Sequence, residues 1–78
     1  MNGATMADLD VKAEWPGRVA EFHVAVGDAV EAEQELMTIE SMKMLTPVPS
    51  PAAGTVTEIA VAIDDFVDEG GLLMRLST

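Results

Sequence analysis

Few side chains in this 78-residue chain are equipped for covalent chemistry. It has one histidine, His23, and no cysteine; its only lysines are Lys12 and Lys43. Nucleophilic catalysis needs a nucleophile, a base to activate it and a group to orient the base. His23 stands alone in an alternating segment, its side chain opposite those of Phe22 and Val24, and reads as a strand residue. No His/Cys cluster has metal-ligand spacing. Asp64, Asp65, Asp68 and Glu69 are close together. They lack the spaced ligands, central glycine and distal glutamate of a calcium loop, and read as a solvated turn. No glycine-rich phosphate loop occurs. Catalytic residues and metal ligands are therefore expected to be absent. What remains is Lys43, a primary amine set between two methionines in Glu40-Ser41-Met42-Lys43-Met44. A lone exposed lysine is ordinarily a solubilising charge. Here it is one of two in an acidic chain, and its neighbours are polarisable, apolar side chains that belong in a core or at a recognition surface.

The flanking residues say how such an amine is mounted. Leu36-Met37-Thr38-Ile39 precedes the motif and Leu45-Thr46-Pro47-Val48-Pro49-Ser50-Pro51 follows it. Two β-rich segments around a short polar interruption predict a hairpin with Lys43 at or near its tip. Pro47, Pro49 and Pro51 cannot donate to a ladder, so this arm is an edge or a crossover.

An internal repeat organises the rest. Residues 17–30 match residues 54–67 at a constant offset of 37, continuing as Leu36-Met37 onto Leu73-Met74 and Ile39 onto Leu76. Lys43 falls between the copies. Two copies point to a closed pseudo-two-fold domain in which each half completes the other's core, since solenoids need three or more units. Both copies break phase at the same place. Phe22, Val24 and Val26 alternate while Val19 lies an odd step away; Ile59, Val61 and Ile63 alternate while Val56 is off phase. A bulge near Ala20-Glu21 and another near Thr57-Glu58 return the apolar residues to one face.

A helix competes over residues 28–36, which are rich in helix formers and carry capping-box spacing at Asp28 and Glu31. Glu33, Gln34 and Met37 follow Val30 at helical spacing, which is no apolar stripe. The second copy has Gly70-Gly71 there, and paired glycines break helices. Leu9, Val11 and Ala13 alternate with Asp10, Lys12 and Glu14 as a further strand, ended by Trp15-Pro16-Gly17. The count is seven or eight short strands, an all-β sandwich or barrel.

Length allows one small domain, burying only roughly 60–65% of its unfolded surface. Residues 1–7 are small, polar and aperiodic and are expected to be disordered, leaving 8–78 as the domain. Met6 is an equally good start, which favours a free small protein. Lys and Arg number 4 against 14 Asp and Glu, a formal charge of −10. That charge disfavours nucleic acid and anionic membrane surfaces. No apolar run approaches the roughly 18 residues of a membrane span. With no cysteine and no signal-peptide pattern, a soluble cytoplasmic protein is expected.

Glu40-Ser41-Met42-Lys43-Met44 resembles the attachment motif of the biotinyl/lipoyl carrier domain family. The likeness runs over about residues 9–77, through Pro16-Gly17-x-Val19, Val26-Gly27-Asp28-x-Val30, Pro51-x-x-Gly54-x-Val56, Asp65-x-Val67 and the Leu72/Leu73 closing strand. Met-Lys-Met alone is a weak signal; centred between two half-domains it is a specific one. The resemblance implies a flattened β-sandwich of two four-stranded antiparallel sheets with pseudo-two-fold symmetry, a barrel-sandwich hybrid. The hairpin is expected at one end and the termini at the other. It implies a carrier rather than an enzyme. Biotin would be amide-linked to Lys43 by a biotin protein ligase and would move a carboxyl group from a biotin carboxylase to a carboxyltransferase. Glu40, Ser41, Met42 and Met44 would be recognition residues.

The chain departs from the pattern in places. Ser41 stands where alanine is common, Leu45 where an acidic residue is frequent, and Glu33 and Asp64 where glycine is usual. Asp64 accepts a left-handed backbone more readily than Glu33, so the turn at Glu33 is expected to rearrange. No protruding insertion is present, unlike some carboxylase carriers. Two other readings stay open. One is a lipoyl carrier domain of a 2-oxoacid dehydrogenase-type complex, although that family usually has Asp before and Ala after its lysine. The other is an unmodified interaction module.

Overall fold

The computed structural model describes residues 8–78; the disorder expected of residues 1–7 concerns residues outside these. Eight strands follow one another: β1 (Asp8–Lys12), β2 (Gly17–Phe22), β3 (Ala29–Val30), β4 (Glu35–Ser41), β5 (Met44–Pro49), β6 (Gly54–Ile59), β7 (Phe66–Val67) and β8 (Leu72–Ser77). They form two four-stranded antiparallel sheets, ordered β1-β8-β6-β3 and β5-β4-β2-β7. Adding 37 to β2, β3 and β4 gives β6, β7 and β8, and β1 corresponds in the same way to β5. The same operation exchanges the two sheets. Each sheet therefore takes two strands from either repeat, and neither repeat closes a sheet alone.

The bulges fall where the break in phase places them. Pairing shifts between Val19 and Glu21 against β4, and between Val56 and Glu58 against β8. Val19 and Val56 consequently point inward and are buried, together with Leu36, Met37, Ile39, Leu73, Met74 and Leu76. Phe22, Val24, Ile59 and Val61 close the core's margins. Residues 28–36 contain a two-residue strand, a turn and the start of β4, with no helix. Pro47 and Pro49 lie in β5, an edge strand, where a missing donor breaks no ladder.

Two expectations are corrected. The strand expected to run through Val26 stops at Phe22, because Asp28 builds a turn there. Its carboxylate accepts from the Ala25 N–H at 2.9 Å, and its own N–H donates to the Ala25 carbonyl at 3.0 Å. Gly27 turns the chain at φ 97° and Val26 is left exposed. Asp65 and Ala62 repeat both bonds at 2.9 and 3.1 Å, with Asp64 at φ 75° in the place of Gly27. His23 is thus a bend residue rather than a strand residue. The second correction concerns Glu33, whose turn does not rearrange. It takes φ 71° where its counterpart Gly70 takes 83°. The two turns are held alike, by Glu33 N–H to the Ser50 carbonyl at 2.8 Å and Gly70 N–H to the Ala13 carbonyl at 2.7 Å. A non-glycine side chain there costs on the order of 1 kcal/mol, which the paired turn tolerates.

The glycines that open β2 and β6 are required by close approach. A Cβ on Gly17 would lie 2.5 Å from Ile39 Cγ2 and 2.7 Å from the Glu40 carbonyl oxygen; on Gly54 it would lie 2.6 Å from the Ser77 carbonyl oxygen. Gly17→Ala and Gly54→Ala are each expected to destabilise the domain by about 1–3 kcal/mol, read as a lowered urea midpoint at unchanged slope.

Candidate functional site

β4 and β5 form a hairpin whose last pair is Ser41 with Met44. Two residues remain for the turn, Met42 at φ 51° and Lys43 at φ 66°. Two consecutive positive φ values are the signature of a type I′ turn, the geometry that matches the right-handed twist of the strands it joins. Asn-Gly is the usual sequence for such a turn. Met42-Lys43 occupies it without glycine, so the tip is held in a conformation its residues do not prefer.

The turn projects its side chains into solvent. Met42 is 92% exposed and Met44 68%. Lys43 is exposed and makes no ion pair among the described residues. Both arginines, in contrast, are paired: Arg18 with Glu40 and Asp64, and Arg75 with Asp10 and Glu58. The five-residue motif therefore divides. Met42, Lys43 and Met44 make the tip, whereas Glu40 and Ser41 belong to the stem of β4, Ser41 half-buried and Glu40 held by Arg18.

Arg18 was not legible as a site residue. It sits opposite Glu40 in the β2–β4 ladder and reaches Asp64 on the β6–β7 connection as well, tying the base of the hairpin to the second repeat. The hydrogen bond the guanidinium donates to Glu40, then the Glu40 charge, then Asp64 raise the Arg18 pKa above its ordinary value. The sign is that of a cation stabilised in the folded state. The contribution is lost only as pH rises through that raised value, so the clamp does not titrate from its cationic side near neutrality. One sequence signal was available: the second repeat has Thr55 at the place of Arg18.

The repeat also exposes an asymmetry. One row across the hairpin sheet reads Leu45, Glu40, Arg18, Phe66. Its counterpart in the other sheet reads Asp8, Ser77, Thr55, Ala29. Leu45 and Phe66 are 66% and 68% exposed. Beside the tip, Trp15, Pro16, Ser41, Met42, Met44 and Thr46 line a shallow groove.

His23 is the other side chain with acid–base potential that the sequence singles out. His23 Nε2 lies 2.9 Å from Thr38 Oγ1 and 3.3 Å from Glu35, covering Thr38 on the sheet surface. Among the described residues no group of three His, Cys, Asp or Glu side chains is placed to hold a metal, and no helix is long and apolar enough to cross a membrane.

The family described as "Biotin-requiring enzyme" matches residues 6–76. The biotin/lipoyl attachment protein of Bacillus subtilis is 38% identical over 69 residues, which are 88% of this chain and 94% of that protein. The dihydrolipoyllysine-residue acetyltransferase component of the pyruvate dehydrogenase complex of Pseudomonas aeruginosa is 39% identical over 67 residues, 86% of this chain but 12% of the acetyltransferase. Among solved structures, the urea carboxylase of Kluyveromyces lactis superposes with a TM-score of 0.86 at 29% identity, covering 96% of this chain and 7% of the carboxylase. The chain thus spans nearly all of one small relative and a minor part of two large ones.

The conformation of the tip makes a stability prediction independent of any ligand. Met42→Asn combined with Lys43→Gly, which gives the turn its preferred residues, is expected to raise stability by about 1 kcal/mol in urea titration.

Proposed function

Because the chain belongs to the biotin/lipoyl attachment family, we propose that Lys43 carries biotin in amide linkage and that the domain serves as the carboxyl carrier of a biotin-dependent carboxylase. The observation that carries the reading is the exposed, unpaired amine between Met42 and Met44 on a two-residue turn. A biotin protein ligase first activates the biotin carboxylate: a carboxylate oxygen attacks the α-phosphorus of ATP, the α–β phosphoanhydride bond breaks, pyrophosphate leaves and a mixed anhydride with AMP results. The Lys43 ammonium gives up a proton and its Nζ lone pair attacks the acyl carbon. The C–N bond forms, a second proton leaves and AMP departs. The domain loses one positive charge.

The residues present fit the group. Among the described residues the amine has no acidic partner to break from, and it sits on the turn beyond the last ladder pair. The bound cofactor supplies the capacity to carry a carboxyl group; the domain supplies position. Gly17 and the Arg18 clamp fix the hairpin's base, Met42 and Met44 present apolar contacts on either side of the amine, and Glu40 and Ser41 shape the stem. Tethering raises the cofactor's effective concentration at a biotin carboxylase site and then at a carboxyltransferase site.

A second reading has its own support. The acetyltransferase relative is named for a dihydrolipoyllysine residue, and its identity to this chain is as high as that of the small attachment protein. On that reading Lys43 bears a lipoyl group through the same amide. The Met42 and Met44 flanks, where the lipoyl pattern has Asp and Ala, favour biotin.

Incubation with biotin ligase, ATP and biotin is expected to raise the intact mass by one biotinyl group, and Lys43→Arg to abolish the rise. Parallel incubation with a lipoate ligase is expected to give slower modification. Preferred lipoylation would replace the biotin reading with the second one, and modification at Lys12 would overturn both.

A further inference from the structure

We propose that the groove lined by Trp15, Pro16, Ser41, Met42, Met44 and Thr46 is a parking site for the sulfur-containing five-membered ring carried at the end of the Lys43 arm. The inference rests on the reading that Lys43 is acylated. Its ligand class is what the two candidate cofactors share, a saturated sulfur heterocycle on an aliphatic chain.

Four observations converge. The groove shares its walls with the tip, since Met42 and Met44 flank Lys43 and both line it. None of the six lining residues is ionisable, in a chain with a formal charge of −10. Trp15 is 54% exposed and lies outside the buried core, so the fold does not account for it. The repeat provides an internal comparison: Trp15-Pro16 corresponds to Ala52-Ala53, which serves the same connection without an aromatic wall. A groove lined by one indole and two thioethers suits a ring whose own heteroatom is sulfur, through apolar burial and sulfur–aromatic contact. The tether makes weak binding sufficient. At the effective concentration of about 1 mM that a short flexible linker gives, a groove with a dissociation constant of about 1 mM is half filled. A site that weak releases the ring readily to an enzyme that binds it better, so parking need not slow delivery.

Trp15 is the only tryptophan and lines the groove, so its emission responds when the groove is filled. The intact chain is modified in two arms, by biotin ligase and by lipoate ligase, with modification at Lys43 verified by mass. The acrylamide quenching constant of Trp15 is then compared with that of the unmodified chain. Protection is expected to lower it by about a third to a half, following the half occupancy above. Lys43→Gln, which removes the charge without adding an arm, is expected to match the unmodified chain. Protection in both arms supports a site for the shared ring chemistry, and protection in one arm a site for that ring. Unchanged quenching in both verified arms overturns the inference while leaving the attachment reading intact. Equal protection in Lys43→Gln, or protection that appears only as protein concentration rises, also overturns it, the latter in favour of a second copy's arm. Failure of both ligases to modify Lys43 overturns the attachment reading and this inference with it.

Discussion

At Gly17 the backbone of β2 comes so close to Ile39 and the Glu40 carbonyl that a methyl group would not fit between them. The hairpin's position depends on that contact. β4 is a central strand, paired to β2 on one side and to β5 on the other. It is anchored just before its turn by the close approach at Gly17 and by the Arg18–Glu40 pair in the next register position. Beyond Glu40 only Ser41 remains before the tip. The amine lies three positions beyond Glu40 and two beyond Ser41, the last ladder residue of β4. The exposed ion pair contributes modestly to stability in itself. Its use is directional, since Asp64 belongs to the opposite repeat and Arg18 joins both.

The repeat and the bulges were legible because they are properties of apolar side-chain order. A constant 37-residue offset and an odd step between Val19 and Phe22 leave only one way to bring both residues inward. The two-residue turn was legible because strand signals flank it on both sides. What escaped was set by backbone and by distant pairing. Val26 continues an alternation, yet the Asp28 carboxylate captures the Ala25 N–H and the strand ends at Phe22. Glu33 looks unfit for a left-handed position, yet Ser50 holds its N–H as Ala13 holds that of Gly70. Arg18 and Asp64 are 46 residues apart, and only the exchange of strands between repeats brings them together. Trp15 read as punctuation because its neighbours are Pro16 and Gly17; its place beside the tip follows from the β1–β2 connection crossing to the hairpin sheet.

Left-handed residues occur at equivalent places in the two repeats, at Gly27 and Asp64 and again at Glu33 and Gly70. In each pair a glycine has a non-glycine partner. The backbone requirement is therefore imposed by the fold, and the side chain is free to follow other demands. Asp64 uses that freedom to meet Arg18. Met42 and Lys43 have no such partner pair among the described residues. Their positive φ values arise from the two-residue connection, and theirs is the one place among the described residues where two consecutive non-glycine residues are left-handed.

The same contrast explains how a nearly symmetric molecule presents a single amine. Under the 37-residue operation the β4–β5 hairpin corresponds to the pair β8 and β1, in which Asp8 pairs with Ser77. The hairpin sheet therefore joins its paired strands by a covalent two-residue turn, whereas β1 and β8 are not consecutive in the chain and meet through their ladder. A turn can be given strained, exposed residues without losing its register, because the peptide bond holds the strands together. The pair β1 and β8, without such a turn, is held in register by ladder bonds and packing. The covalent side of the pseudo-dyad is thus the one able to carry Met42, Lys43 and Met44 in the open, and the exposed Leu45 and Phe66, at the two ends of the row through Glu40 and Arg18, lie on that side too. The opposite sheet, with Asp8, Ser77, Thr55 and Ala29 in the matching row, is left to keep the sandwich closed.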